Sequence, residues 1–225
     1  MNKTDNFSRH GFTIIEGLIT EDQLAQIEQQ QIQFKLTNAG SRELLTQPWC
    51  QQLAETLKMN AQLAPLLPIN TVAIQCTYFK KTAEKNWLVA LHQDLSIPVR
   101  HHLSAKGFSG WSHKQNMLFV QPPIQFMEQL VAVRVHIDDC LHEHGPLKVV
   151  AGTHRDGKIA EADLPRIRDQ IGEQECTVVK GDAVIMRPLI VHSSSKAIQT
   201  NGRRVLHFLF APATLAETIP FQFCV

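Results

Sequence analysis

Hydrophobic spacing changes character once along this chain, at Pro68. Before it the apolar positions recur mostly at helical intervals. Gly11-Phe12-Thr13-Ile14-Ile15 reads as a short opening strand, and Thr20-Glu21-Asp22-Gln23 has the spacing of a capping box. That box opens a helix with Leu24, Ile27 and Gln31 on one face. A second helix is predicted over Thr46 to Leu57, with Pro48 in its first turn and Trp49, Leu53 and Leu57 at helical spacing. Residues 60–67 add one more turn before the proline.

Beyond Pro68 the period shortens towards two. Residues 71–79, TVAIQCTYF, are rich in β-branched and aromatic side chains and predict a strand. Further short strands are predicted over 88–91, 131–137, 147–150, 176–179, 183–186 and 204–210. The 131–137 strand alternates as if half in the core. Residues 96–120 mix Pro, Gly, Ser and His and read as a long loop over a site, while 123–129 suit a short helix. Short strands separated by Gly and Pro turns, with two helices ahead of them, predict an antiparallel sandwich or barrel. With no internal repeat, low-complexity segment or Gly/Ser linker, residues 1–225 read as one domain: a helical part over about 20–67 and a β part over about 71–212.

Composition narrows the function classes. A net charge of +1 with no basic run gives no electrostatic footprint for nucleic acid or an anionic membrane. No apolar stretch reaches the ~18 residues of a membrane span, and the first residues lack the apolar core of a secretory signal. Five dispersed cysteines without a CxxC pair read as free, buried thiols in a reducing compartment, hence a cytoplasmic protein.

Eleven histidines raise the question of which converge. In Leu91-His92-Gln93-Asp94, an extended backbone puts His92 and Asp94 on one face, two thirds of a 2-His-1-carboxylate facial triad. The pair alone is equally readable as a surface salt bridge. A distant histidine is needed, and His192 follows the apolar run 183–191 where that strand ends. About ten residues on comes Arg203-Arg204, entering an apolar strand. An arginine there is costly without an anion, and a guanidinium grips a carboxylate bidentately. An exposed Arg-Arg pair at a strand start remains an open alternative at this point.

Taken together, four pieces resemble the phytanoyl-CoA dioxygenase family of Fe(II)/2-oxoglutarate oxygenases. They are Leu91-His92-Gln93-Asp94-Leu95; residues 133–140, VRVHIDDC; residues 145–157, GPLKVVAGTHRDG; and His192 with Arg203. The third is the most specific, and the four span roughly residues 72–212. The resemblance implies a mainly β double-stranded β-helix (jelly roll) with flanking helices. It implies His92, Asp94 and His192 as iron ligands and no other catalytic side chain. The family's arginine for the distal carboxylate of 2-oxoglutarate lies eleven residues after the second histidine, which is Arg203, and a serine two residues after it, Ser194, often assists. Strand alternation separates Arg203, Val205 and His207 from Arg204, Leu206 and Phe208; the spacing and the more polar face favour Arg203.

The implied reaction hydroxylates a small molecule with O2, converting 2-oxoglutarate to succinate and CO2. Asp94 speaks against halogenase relatives, which replace that carboxylate with a small residue. Neither substrate nor oligomeric state is legible. A cupin-type metalloenzyme without 2-oxoglutarate, and a non-catalytic jelly-roll binding protein, are the rival readings. The His142-Glu143-His144 stretch reads as a polar turn, His154 as a packing residue, and His101, His102 and His113 as solvated. Trp87 and Trp111 suit either a pocket wall or the core.

Overall fold

The computed structural model describes residues 3–33, 40–84, 86–199 and 203–225. A short helix α1 (Lys3–His10) precedes β1 (Phe12–Ile15), then α2 (Glu21–Gln33), a two-residue β2 (Gly40–Ser41) and α3 (Pro48–Met59). The capping box forms as predicted: Gln23 N–H donates to Thr20 Oγ1 (3.3 Å) and Thr20 N–H donates to Gln23 Oε1 (2.9 Å). Leu24, Ile27 and Gln31 are buried together on one face of α2.

The strands follow: β3 (Thr71–Lys81), β4 (Val89–His92), β5 (Ile97–Val99), β6 (Ser109–Lys114) and β7 (Met117–Gln121). After α4 (Ile124–Met127) come β8 (Val131–His136), β9 (Leu147–Val150), α5 (Leu164–Ile171), β10 (Gln174–Cys176), β11 (Ala183–Met186), β12 (Val191–Ser194) and β13 (Arg203–Pro212). One sheet has the order β1-β11-β8-β13-β3-β2, a second β10-β9-β12-β4, and a third β5-β7-β6. The pairings within these ladders are antiparallel. This is a jelly roll with helices laid on the outer face of the large sheet.

Alternation in that sheet decides which residues reach the interior. Val131, Val133 and Val135 of β8, and Leu206, Phe208 and Phe210 of β13, join the core under the helices. Arg134 and His136 take the opposite face by alternation, as do Arg203, Val205 and His207. In β3, Gln75, Thr77, Phe79 and Lys81 line the interior pocket. Polar side chains therefore cluster on one face of otherwise apolar strands.

Several expectations are corrected. Residues 96–120 are not a long loop: most of them form the three-stranded β5-β7-β6 sheet, whose β6–β7 turn is made by Gln115 (φ 50) and Asn116 (φ 62) in left-handed conformation. The 131–137 segment is buried on both faces rather than half, because β11 and β13 flank it and helices and the barrel interior cover its two sides. The 176–179 strand is shifted to Gln174–Cys176, with Val178 left as an isolated bridge to Cys140. Helices α1 and α5 lie outside the predicted elements. Cys224 is exposed, unlike the other four cysteines.

Candidate metal centre and anion pocket

His92 ends β4 and His192 is the second residue of β12, and the two are direct cross-strand partners. His192 therefore opens a new strand after the turn at 187–190, instead of ending the previous one. Each ring is held the same way. His92 Nδ1 lies 2.8 Å from the Ala90 carbonyl and His192 Nδ1 2.8 Å from the Ile190 carbonyl. A carbonyl only accepts, so each Nδ1 carries a proton, which leaves each Nε2 as the nitrogen available to a metal. Those Nε2 atoms converge on Asp94, at 3.7 Å from Oδ1 for His92 and 3.7 Å from Oδ2 for His192. The three ligand atoms all lie within 4.8 Å of one another. Two imidazoles and a carboxylate, grouped with the other side open to a pocket, form the donor set of a non-haem Fe(II) site.

The charge states suit that chemistry. Burial pushes the His192 imidazolium down to about 4, so the ring is neutral near pH 7. The protein packed around Asp94 opposes its ionisation, but His192, His207 and His92, with Arg134 behind them, outweigh this and hold the carboxyl below its ordinary value.

Residues between and beyond the ligands brace them. Gln93, buried between His92 and Asp94, donates to the carbonyls of Gly157 (2.8 Å) and Leu189 (2.7 Å) and accepts from Ile159 N–H (2.9 Å). Thr153 Oγ donates to the Val150 carbonyl (2.7 Å) and accepts from Val191 N–H (2.9 Å). The Gly-Thr-His stretch thus ties both metal-facing segments together. At its start Gly145 needs its φ of 63°, and a Cβ there would meet the Ser195 carbonyl at 2.5 Å.

Both groups open into a pocket of about 490 Å³, within the ~300–1,000 Å³ range of small-molecule sites. Its lining includes His92, Asp94, His192, Ser194 and Arg203. Arg203 is 6% exposed. It donates to the Gly145 carbonyl and lies 3.7 Å from Cys140 Sγ, while its buried Nε has no protein partner. Arg204 faces the other way: it forks onto Asp138 Oδ1 and Oδ2 (2.6 and 2.8 Å) and reaches Glu28 (2.5 Å), which fixes it outside the pocket. Ser194 accepts from Lys81 Nζ (3.0 Å), whose ammonium also donates to the Ser195 carbonyl (2.7 Å).

Three further polar side chains that the sequence did not single out line the pocket. Arg134, buried on β8, donates from Nη1 to His207 Nδ1 (3.0 Å) and leaves its Nε unpartnered. A guanidinium cannot accept, so the His207 proton sits on Nε2, 3.8 Å from Asp94 Oδ2. Burial and then the neighbouring Arg134 charge push His207 down to about 3. Lys81 is only 2% exposed. Burial and the Arg203 charge bring Lys81 down to about 8, and burial and the same Arg203 bring Arg134 down to about 10. Three cations are thus crowded at one end of the pocket at an electrostatic cost that a bound anion would relieve. The available signal was alternation: Arg134 and His136, and Arg203 and His207 with Val205 between them, are polar positions at even spacing in strands of otherwise apolar texture.

The remaining histidines fall as expected. His142–His144 form a one-turn element, with His142 on Glu175. His154 Nε2 packs 3.2 Å from the Ser8 carbonyl, and His102 stacks on Trp111, 4.2 Å between centroids. Trp87 lines the pocket.

A family model described as "Phytanoyl-CoA dioxygenase (PhyH)" matches residues 7–205. A search of curated proteins gives no match. Among solved structures, the non-haem α-ketoglutarate-dependent epimerase SnoN from nogalamycin biosynthesis aligns at TM-score 0.69 and 15% identity, over 94% of this chain and 82% of that one. HygX from Streptomyces hygroscopicus, with nickel and 2-oxoglutarate bound, aligns at TM-score 0.65 and 16% identity, over 93% and 86%. EctD from S. alaskensis aligns at TM-score 0.69 and 15% identity, over 94% and 76%. At such identities the likeness concerns the fold.

Proposed function

This chain belongs to the phytanoyl-CoA dioxygenase family and is an Fe(II)- and 2-oxoglutarate-dependent dioxygenase, and we propose that it hydroxylates a small molecule using His92, Asp94 and His192 as its iron ligands. Ser194 and Arg203 take the distal carboxylate of 2-oxoglutarate, and O2 is the oxidant. Residues 1–225 act as one oxygenase domain. When bound, iron and 2-oxoglutarate supply the oxidising chemistry, with release of succinate and CO2. The carrying observation is convergence: two imidazole Nε2 atoms and a carboxylate open into the same pocket as two buried guanidinium nitrogens that lack partners.

The chain's own residues hold and orient. Ala90 and Ile190 carbonyls fix the imidazole tautomers, and Gln93 and Thr153 hold the two ligand-bearing segments in register. Lys81 and Arg134 add positive charge beside Arg203, so the dicarboxylate end is gripped by a cluster rather than one arginine. His207 presents its Nε2–H to Asp94 and keeps the carboxylate turned towards the imidazoles. A metalloenzyme without 2-oxoglutarate would leave these cations buried without a counter-ion.

Four buried cysteine thiols support a reducing compartment, the cytoplasm. No helix among the described residues is long and apolar enough to cross a membrane.

The decisive experiment is anaerobic addition of Fe(II) and then 2-oxoglutarate, followed by the visible charge-transfer absorption of the chelate. Wild type develops the band. His92→Ala loses it, and Arg203→Gln needs at least tenfold more 2-oxoglutarate. A wild-type protein that binds Fe(II) but gives no band at any 2-oxoglutarate concentration would overturn the co-substrate assignment.

A further inference from the structure

A second pair of cations lines the same pocket away from the Arg203 cluster. Arg42 follows β2, whose register sets Gly40 against Phe79 and Ser41 against Tyr78 of β3. Continuing that register brings Arg42 beside Thr77, four residues from Lys81, or roughly 13 Å along the strand. Lys114 ends β6 and donates from Nζ to Ser96 Oγ (3.0 Å), two residues after Asp94, with its ammonium 4.8 Å over the Phe119 ring.

The backbone segments that carry the two cations are joined by a built contact. Gln115 in the β6–β7 turn accepts from Arg42 N–H (3.0 Å) and donates to the Gly40 carbonyl (3.0 Å), clamping residues separated by more than seventy positions. Neither Arg42 nor Lys114 has a carboxylate within salt-bridge distance among the described residues. Both are half-buried and held below their ordinary pKa values by burial; the Arg42 charge lowers Lys114 further, and Asp94 offsets part of this.

Charge accounting isolates this pair. The pocket lining carries five Arg and Lys residues against two carboxylates, Asp94 and the exposed Glu161. The two charges of 2-oxoglutarate cancel those of a divalent metal, which leaves the positive excess in place. One five-carbon dicarboxylate has fewer chain bonds than two extended residues, about 7 Å, so held at Arg203 and on the metal it does not extend to Arg42 as well. Partly desolvated cations on one pocket wall with no carboxylate at contact distance mark a place where a ligand supplies the anion.

Building on the dioxygenase reading above, we propose that Arg42 and Lys114 form a substrate subsite for an oxyanion, and that the substrate is a small molecule bearing a carboxylate or phosphate group. Ser96 completes the subsite as a hydroxyl donor. Its place two residues after Asp94 sets the anionic end of the substrate beside the metal, so the oxidised carbon lies within a few bonds of the charged group.

The test uses the full chain loaded with Ni(II), which binds the site without turnover. Calorimetry first measures 2-oxoglutarate binding, then titrates the 2-oxoglutarate-saturated protein at low salt with inorganic phosphate and separately with acetate. Wild type should take up one equivalent of one of these anions, and which is preferred separates a phosphate from a carboxylate substrate. The Arg42→Gln/Lys114→Gln double variant should bind that anion at least tenfold more weakly while its 2-oxoglutarate affinity stays within twofold. The Arg42→Lys/Lys114→Arg variant should restore it. Equal anion binding by wild type and double variant, or no uptake by wild type, overturns the proposal. Failure of the dioxygenase reading shows separately, as absent 2-oxoglutarate binding in the first titration. The anion titration on the Ni(II)-loaded chain then still decides the subsite by its dependence on Arg42 and Lys114.

Discussion

Adjacent arginines show how one strand position divides structure from chemistry. Arg204 lies under the helices and holds Asp138 and Glu28, so Arg204→Ala should cost about 1–2 kcal/mol, reduced from the full value of charged hydrogen bonds because the group is partly exposed. Its affinity for 2-oxoglutarate should not change. Arg203→Gln should show the reverse pattern in paired melting and binding measurements. Buried histidines give a pH signature. His207 and His136 are both held below their ordinary range, chiefly by burial. The unfolded chain, titrating near ~6.5, binds more protons than the folded one below that pH, so their contribution is present above it and is lost as pH falls. Each should cost the metal-free protein about 1.4 kcal/mol by pH 5.5 relative to pH 7.5. Urea unfolding at the two pH values measures this, and pH-independent stability would contradict the neutral-histidine assignment.

At the scale of elements, the strands that carry the candidate ligands are short and depend on braces from outside the ladder. β4 and β12 are four residues each, with a register shift between His192 and Ser194. Gln93→Leu would strip partners from two carbonyls and an N–H in a buried setting. At ~1–3 kcal/mol for each unsatisfied group, relaxation included, the expected loss is about 2–4 kcal/mol. Fe(II) affinity should fall with it, because the same bonds hold His92 and Asp94 in place. Chemical denaturation and metal titration of this variant, compared with an exposed control such as Gln170→Leu, separate the brace from a general surface effect. The Gly-Thr-His segment is legible in sequence as a motif, but its work as a brace is visible only once Gly157, Ile159 and Val191 are seen against Gln93 and Thr153.

For the whole molecule, a ligand that binds only the folded chain raises its stability by mass action. A divalent metal at 100 times its Kd should add about 2.7 kcal/mol, or roughly 5–10 °C in Tm for a chain of this size. Ni(II) serves as an air-stable probe, and His92→Ala should abolish the shift. A Tm unaffected by metal would argue that the triad is not a binding site. The pocket joins strands of two sheets to the β5-β7-β6 sheet, so its shape depends on how these layers are set against one another.

The sequence by itself determined an antiparallel β architecture behind two helices, through short strands punctuated by turns, while the jelly roll and the candidate metal ligands His92, Asp94 and His192 came from the resemblance to a family. Strand period separated Arg203 from Arg204, since neighbours in a strand must face opposite ways, and the family spacing with the more polar face favoured Arg203. Tertiary structure decided what periodicity cannot carry. Arg134 and His207 look like ordinary polar positions until the β8–β13 register sets them side by side under Asp94. Lys81 becomes part of the anion end only because β3 pairs with β13 so that it lies opposite Arg203. The loop expected over residues 96–120 became a sheet because its strand partners supply hydrogen bonds that local propensity does not encode. The segments that carry Arg42 and Lys114 are joined through the Gln115 side chain, a contact between remote stretches that no local pattern announces.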